Sequence, residues 1–179
     1  MDSVRKKYLI IILSAVLLFA NLSFTAQPEE YVIKAVLLEK ISSFVEWNGE
    51  KIISKNTFTV GIIGSHKFGN VLEETYANRK ILGKKLAVKF IEDNFEINNC
   101  DVIFIPKLNK DKLNDILEFV KKKPVLTISD TKGYAEKGVH INFYTEENNI
   151  RFEINEKSVK ESGLKMNHLL LSLAKIVEN

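Results

Sequence analysis

The sequence predicts a single α/β domain: a mixed, mostly parallel sheet of about six strands flanked by helices, ending in a hairpin and a helix. Three observations carry that prediction. Short apolar runs rich in β-branched residues alternate with segments whose apolar residues recur at helical spacing. The composition, 45% hydrophobic and 27% charged over 179 residues, suits a packed core and argues against disorder. No internal repeat and no Pro/Ser-rich linker divides the chain.

The amino terminus stands apart from this pattern. Arg5, Lys6 and Lys7 precede an apolar run from Tyr8 to Leu22, broken only by Ser14 and Asn21, and small and polar residues follow to Gln27. This is the layout of a secretory signal peptide, with cleavage expected after Ala26. The run of 15 positions is shorter than the ~20 residues that span a bilayer comfortably. The expected division is therefore a signal peptide over 1–26 and a domain over 27–179. Losing Arg5, Lys6, Lys7 and Asp2 turns the net charge of +3 into 23 basic against 22 acidic residues. No global charge then favours nucleic acid.

The elements follow in order. Glu30 to Trp47 reads as a helix with Ile33, Leu37, Ile41 and Phe44 on one stripe, stopped by Asn48-Gly49. Thr57 to Ile63 is a β-rich run, and Ser65 is placed to cap a helix carrying Phe68, Val71, Leu72 and Tyr76. Leu86 to Ile91 alternates as a half-buried strand, with Leu86, Val88 and Phe90 inward. Asp101 to Ile105 is nearly all apolar, as a central parallel strand is when both its faces are covered. A helix over Lys112 to Lys123 turns Leu113, Ile116, Leu117 and Val120 inward, and Lys121, Lys122 and Lys123 suit its negative end. A strand over Val125 to Ile128 comes next. Val139 to Tyr144 and Ile150 to Ile154 flank Glu146-Glu147-Asn148-Asn149 as a hairpin, and a last helix covers His168 to Val177.

Most catalytic patterns are missing. Gly64 to Gly69 has the spacing of a phosphate loop, but Asn70 and Val71 stand where the lysine and the magnesium-binding hydroxyl belong. A tight strand-to-helix turn or a small-anion site at the N–H groups near Ser65, His66 and Phe68 remains. Asp130 follows a strand, where open α/β sheets bind ligands, so Ser65 and Asp130 are expected to face one crevice. His66, His140 and His168 lack metal-binding spacing, so no metal and no cofactor is expected. Cys100, the single cysteine, reads as a buried structural thiol. These features favour a binding protein over an enzyme. Phe143, Arg151 and Glu153 on the hairpin are the candidate partner contacts, with Arg151 and Glu153 on one strand face. Phe44 and Trp47 are the candidate dimer contacts.

Several segments in order resemble the YfiR family of periplasmic signalling regulators. They are Lys34-Ala35-Val36-Leu37-Leu38-Glu39-Lys40-Ile41 with Phe44-Val45-Glu46-Trp47, Phe58 to Gly64 with Phe68-Gly69, and Asp101 to Ile105. Pro124 to Asp130 with Gly133-Tyr134-Ala135 and Gly138, Ile141-Asn142-Phe143, Arg151-Phe152-Glu153-Ile154-Asn155, Gly163-Leu164 and the last helix complete them. The resemblance implies a non-catalytic periplasmic homodimer. It would bind the periplasmic domain of an inner-membrane sensor, a diguanylate cyclase or a histidine kinase, and modulate cyclic di-GMP output and biofilm formation. A periplasmic small-ligand binder using the crevice is the alternative. Family members carry cysteine pairs, whereas Cys100 alone excludes an intramolecular disulfide switch here.

Overall fold

The computed structural model describes residues 27–47 and 56–178. The expected export signal and the Asn48-Gly49 stop lie outside these residues. The elements are α1 (Gln27–Ser43), β1 (Val45–Trp47), β2 (Thr57–Ile63), α2 (Phe68–Tyr76), β3 (Lys80–Ile81), β4 (Lys84–Ile91), a 3-10 turn (Asn94–Asn99) and β5 (Val102–Ile105). Then come α3 (Lys110–Val120), β6 (Leu126–Ser129), β7 (Ile141–Glu146), β8 (Asn149–Asn155), α4 (Glu156–Glu161), β9 (Leu164–Met166), α5 (His168–Leu173) and β10 (Lys175–Val177).

The six expected strands form the body of one eight-stranded sheet, ordered β10-β8-β7-β6-β5-β2-β4-β3. The strands from β4 through β7 run parallel, and β8 returns antiparallel as the second arm of the hairpin. Glu147 and Asn148 take φ of 49° and 61°, the left-handed pair of a two-residue hairpin turn. Short edge strands complete the sheet, and β1 pairs with β9 in a separate ribbon. Among the described residues, no helix is long and apolar enough to cross a membrane.

Apolar side chains alternate between two cores. Phe58, Val60, Ile62, Val102 and Phe104 face α1 and α2, while Ile63, Ile103 and Ile105 face α3 and the 3-10 turn. Both sheet faces are thus covered, which explains the near-continuous apolar reading of β2 and β5.

Five local expectations are corrected. α1 ends at Ser43, and Val45–Trp47 is a strand because it pairs with β9. Its buried side is Lys34, Ala35, Leu38, Ile41 and Ser42, whereas Ile33 is exposed. Ser65 does not cap α2: the N-cap is Lys67, whose own side chain makes no capping bond. Phe90 packs its ring on Gly69 of α2 but stays 43% exposed rather than fully buried. The last helix stops at Leu173, where Ala174 turns extended and Lys175–Val177 adds in parallel to β8.

Gly61 shows how tightly the sheet centre is packed. A β-carbon there would lie 2.8 Å from Cys100 Sγ and 3.0 Å from Ile91 Cγ1. Gly61→Ala is therefore expected to lose about 1–3 kcal/mol, read as a lower denaturation midpoint at unchanged slope. Adding Cys100→Ala should recover part of that loss, because the two residues share one contact.

Candidate functional site

The parallel strands β2 and β5 are neighbours, but their following helices go to opposite faces. α2 packs through Phe68, Leu72 and Tyr76 on the first core, and α3 through Leu113, Ile116 and Val120 on the second. This is the switch point where open α/β sheets form a crevice at their carboxyl ends. The loop after β2 delivers His66, β5 delivers Phe104, and the end of β6 delivers Asp130. Gly64, with φ of 68°, turns the chain out of β2.

The first turns of α1 close this crevice. Tyr31 stands edge-on to His66, with ring centres 5.4 Å apart, and leans on Phe68 at 5.7 Å. Phe104 lies beneath, 4.6 Å from Phe68 and 5.2 Å from His66. Lys34 is buried, with its ammonium 2.7 Å from Asp130 Oδ2 and 2.5 Å from Glu30 Oε1. Glu30 precedes Lys34 by one helical turn, the favourable order for a helix pair. The Asp130 carboxylate also acts on the Tyr31 hydroxyl. Burial, and then the Asp130 carboxylate, push that hydroxyl up to about 12. Burial lowers the His66 imidazole below its ordinary value, and Asp130 opposes that shift. The ammonium groups of Lys34 and Lys67 approach the Tyr31 ring at 4.7 and 4.9 Å.

His66, Phe68 and Asp130 therefore meet in one place, as expected for a shared crevice. Ser65 is exposed at its rim. The Phe68 N–H is not available to an anion, since it donates to His66 Nδ1 at 3.3 Å. Tyr31, Lys34 and Phe104 were not among the site residues read from sequence. Lys34 looks like a solvent-facing helix lysine, and its partner Asp130 lies 96 positions away. The arrangement is a nearly closed polar plug: an ammonium shared by two carboxylates, walled by aromatic rings. Lys34→Met is expected to cost about 2 kcal/mol in a melting experiment, because it leaves the Asp130 and Glu30 carboxylates facing each other. Asp130→Asn should lower the Tyr31 titration from about 12 while leaving the part due to burial, read by ultraviolet titration.

The hairpin distributes its residues differently. Phe143 is 1% exposed and belongs to the core, which corrects its place as a surface contact. Arg151 and Glu153 do not pair with each other. Arg151 Nε lies 2.7 Å from Glu146 Oε2, and Glu153 Oε1 accepts from Lys175 Nζ at 2.8 Å. Arg151 is exposed, whereas Glu153 is buried beside β10, opposite Lys175 in the register. Phe44 and Trp47 are half-buried against the first core, with Trp47 edge-on to Phe58 at 6.1 Å. His140 and Cys100 are both buried. Among the described residues, no group of three or more His, Cys, Asp or Glu side chains could hold a metal ion.

Fold and site together define a doubly wound α/β domain whose switch-point crevice is plugged by its first helix. The chain belongs to the YfiR/HmsC-like family, which matches residues 31–175. No curated protein matches the sequence. Among solved structures, the ABC domain from Streptococcus pneumonia, solved in complex with L-Trp, is similar with a TM-score of 0.53 and 13% identity. That similarity covers 82% of this chain and 60% of the other, so this chain spans less than two thirds of its length. At this identity the likeness is one of fold. Two segments that carried the family resemblance are joined in the structure. Asn155, from the Arg-Phe-Glu-Ile-Asn run, donates to the Ala135 carbonyl at 2.8 Å and accepts from Ser158 N–H at 2.9 Å.

Proposed function

We propose that this chain is a non-catalytic periplasmic regulator. It binds the extracytoplasmic domain of an inner-membrane signalling protein, a diguanylate cyclase or a sensor kinase, and modulates cyclic di-GMP or related signalling. The observation that carries this reading is family membership across nearly the whole described domain. The basic, apolar and small-residue order of residues 5–27 supports export. The working form is a homodimer, with Phe44 and Trp47 as the candidate contact and Arg151 with its hairpin neighbours as the candidate partner face. Affinity capture from solubilised membranes tests it, together with cyclic di-GMP measured after deletion. Recovery of a cyclase or kinase is expected. No such protein in repeated captures, with unchanged cyclic di-GMP, would sink the reading.

A second reading has a specific observation behind it, the charged and aromatic cluster at the switch point. A small polar ligand entering beside Ser65 would compete with Tyr31 for Asp130 and loosen α1. Thermal shift against nucleotides, amino acids and organic anions should then show saturable stabilisation. Undiminished binding in the Ser65→Ala, Asp130→Ala double variant would rule that site out.

A further inference from the structure

The sheet's two edges are finished differently. β10 ends one edge with a strand of three residues. At the other edge, β3 covers only Lys84 and Lys85 of the eight-residue β4. Among the described residues, no strand pairs with the outer side of Leu86–Ile91. That leaves about 20 Å of strand edge with backbone groups facing outward. Leu82 and Gly83, with φ of 50° and 76°, form a two-residue turn, so Ile81 and Lys84 are a hydrogen-bonded pair. The alternation of an antiparallel ladder then directs the N–H and C=O groups of Leu86, Val88 and Phe90 outward.

An open groove of about 700 Å³ lies against the first part of this edge, up to Val88. Its walls include Tyr76 and Arg79 on one side and Lys85, Leu86, Ala87 and Val88 on the other. Successive β4 residues from both faces line it, so the groove follows the strand's edge rather than one face of the sheet. The two faces differ in chemistry. Leu86 and Val88 are half-buried and Phe90 is 43% exposed on one side, while Lys85 and Lys89 are exposed on the other. Arg79 and Lys80 add positive charge at the groove's end, against a single acidic lining residue, Glu73. Pairing this edge with a second copy of itself would crowd lysines together, which costs stability.

We propose that β4 accepts an added strand from a protein partner, an extended segment alternating acidic and apolar residues. Its backbone would complete the outward hydrogen bonds of Leu86, Val88 and Phe90. Its apolar side chains would lie beside Leu86, Val88 and Phe90, and its carboxylates beside Lys85 and Lys89. The proposal deepens the regulator reading by naming the kind of segment bound, and it rests on that reading only for the source of the segment.

The test uses the purified chain and a labelled peptide, Glu-Val-Glu-Ile-Glu-Val-Glu, with Lys-Val-Lys-Ile-Lys-Val-Lys as control. Saturable anisotropy is expected for the acidic peptide only. Affinity should fall at least about tenfold in the Lys85→Glu, Lys89→Glu double variant, and it should also fall as salt is raised. Both substituted residues are exposed, and an unchanged melting temperature would verify that the variant is folded. Amide exchange at Leu86, Val88 and Phe90 should slow when the acidic peptide is added. Equal binding of the lysine peptide, or unaltered binding by the double variant, would overturn the proposal and leave the lysines as guards against edge aggregation. Unchanged exchange at those three amides would overturn it too. Because no membrane protein takes part, failure here leaves the regulator reading to its own capture experiment.

Discussion

Phe104→Ala is expected to remove roughly 3–5 kcal/mol of stability. Phe104 is fully buried at the carboxyl end of a central strand. Its ring is the floor on which both Phe68 and His66 rest. Removing it leaves a void bounded by β2, β5 and α2, elements that the sheet hydrogen bonds prevent from collapsing together. For a domain of this size the melting midpoint should drop by about 10 °C or more. The same variant carries a local signature. With its floor gone, His66 gains water, so its imidazole should titrate closer to the ordinary histidine value, observable by NMR. A midpoint near that of the parent protein would mean that the crevice floor bears little of the packing.

Acidification should unfold the protein through His140. This residue is fully buried, and its surroundings push the imidazole down to about 4, chiefly through burial. The hydrogen bonds explain why a second proton is unwelcome. Nδ1 accepts from the Thr127 N–H at 3.1 Å, whereas the bond to the Ser158 backbone favours the charged ring and only partly offsets burial. A proton added at Nδ1 would face a donor. In the unfolded chain the same imidazole titrates near 6.5, so below that pH the unfolded state binds more protons. The contribution is fully present above pH 6.5 and is lost as pH falls toward 4, by about 3 kcal/mol in all. His140→Gln retains an acceptor but no titrating group. Its stability should fall less steeply over that window than the parent's, the remaining slope coming from His66 and the carboxylates, in urea titrations at successive pH values. An identical slope in the parent and the variant would refute the assignment.

The sequence disclosed the sheet better than the site. Thr57–Ile63 is readable to the residue because β2 has both faces in a core, and no polar side chain is needed to tell where it lies. The hairpin is legible in kind but not to the residue: the expected turn Glu146–Asn149 narrows to Glu147-Asn148, and the first arm runs Ile141–Glu146 rather than Val139–Tyr144. β1, β3, β9 and β10 are two or three residues long and exist through their pairing, so no local periodicity marks them. α1 misleads for a different reason. Its apolar residues nearly encircle it, and the buried side, Ala35, Leu38 and Ile41, also carries Lys34, whose partner Asp130 is brought there by the fold alone. His66, Phe68 and Asp130 were accessible because each follows a strand or opens a helix at the same end of the sheet. Tyr31 and Lys34 were not, because the helix that holds them precedes the sheet and reaches back over it.

Cys100 turns the crowding at Gly61 into a measuring device. It is the chain's one cysteine and is 4% exposed. Its sulfur lies on the sheet face over Gly61, under the 3-10 turn whose Glu96 carbonyl it meets, so a thiol reagent reaches it when that turn lifts from the second core. The pseudo-first-order labelling rate of the native protein, divided by that of a free thiol, therefore gives the equilibrium for opening this cover of the sheet's centre. No label has to be engineered. Comparing that rate with and without a bound peptide or ligand would show whether occupancy at the periphery tightens the centre.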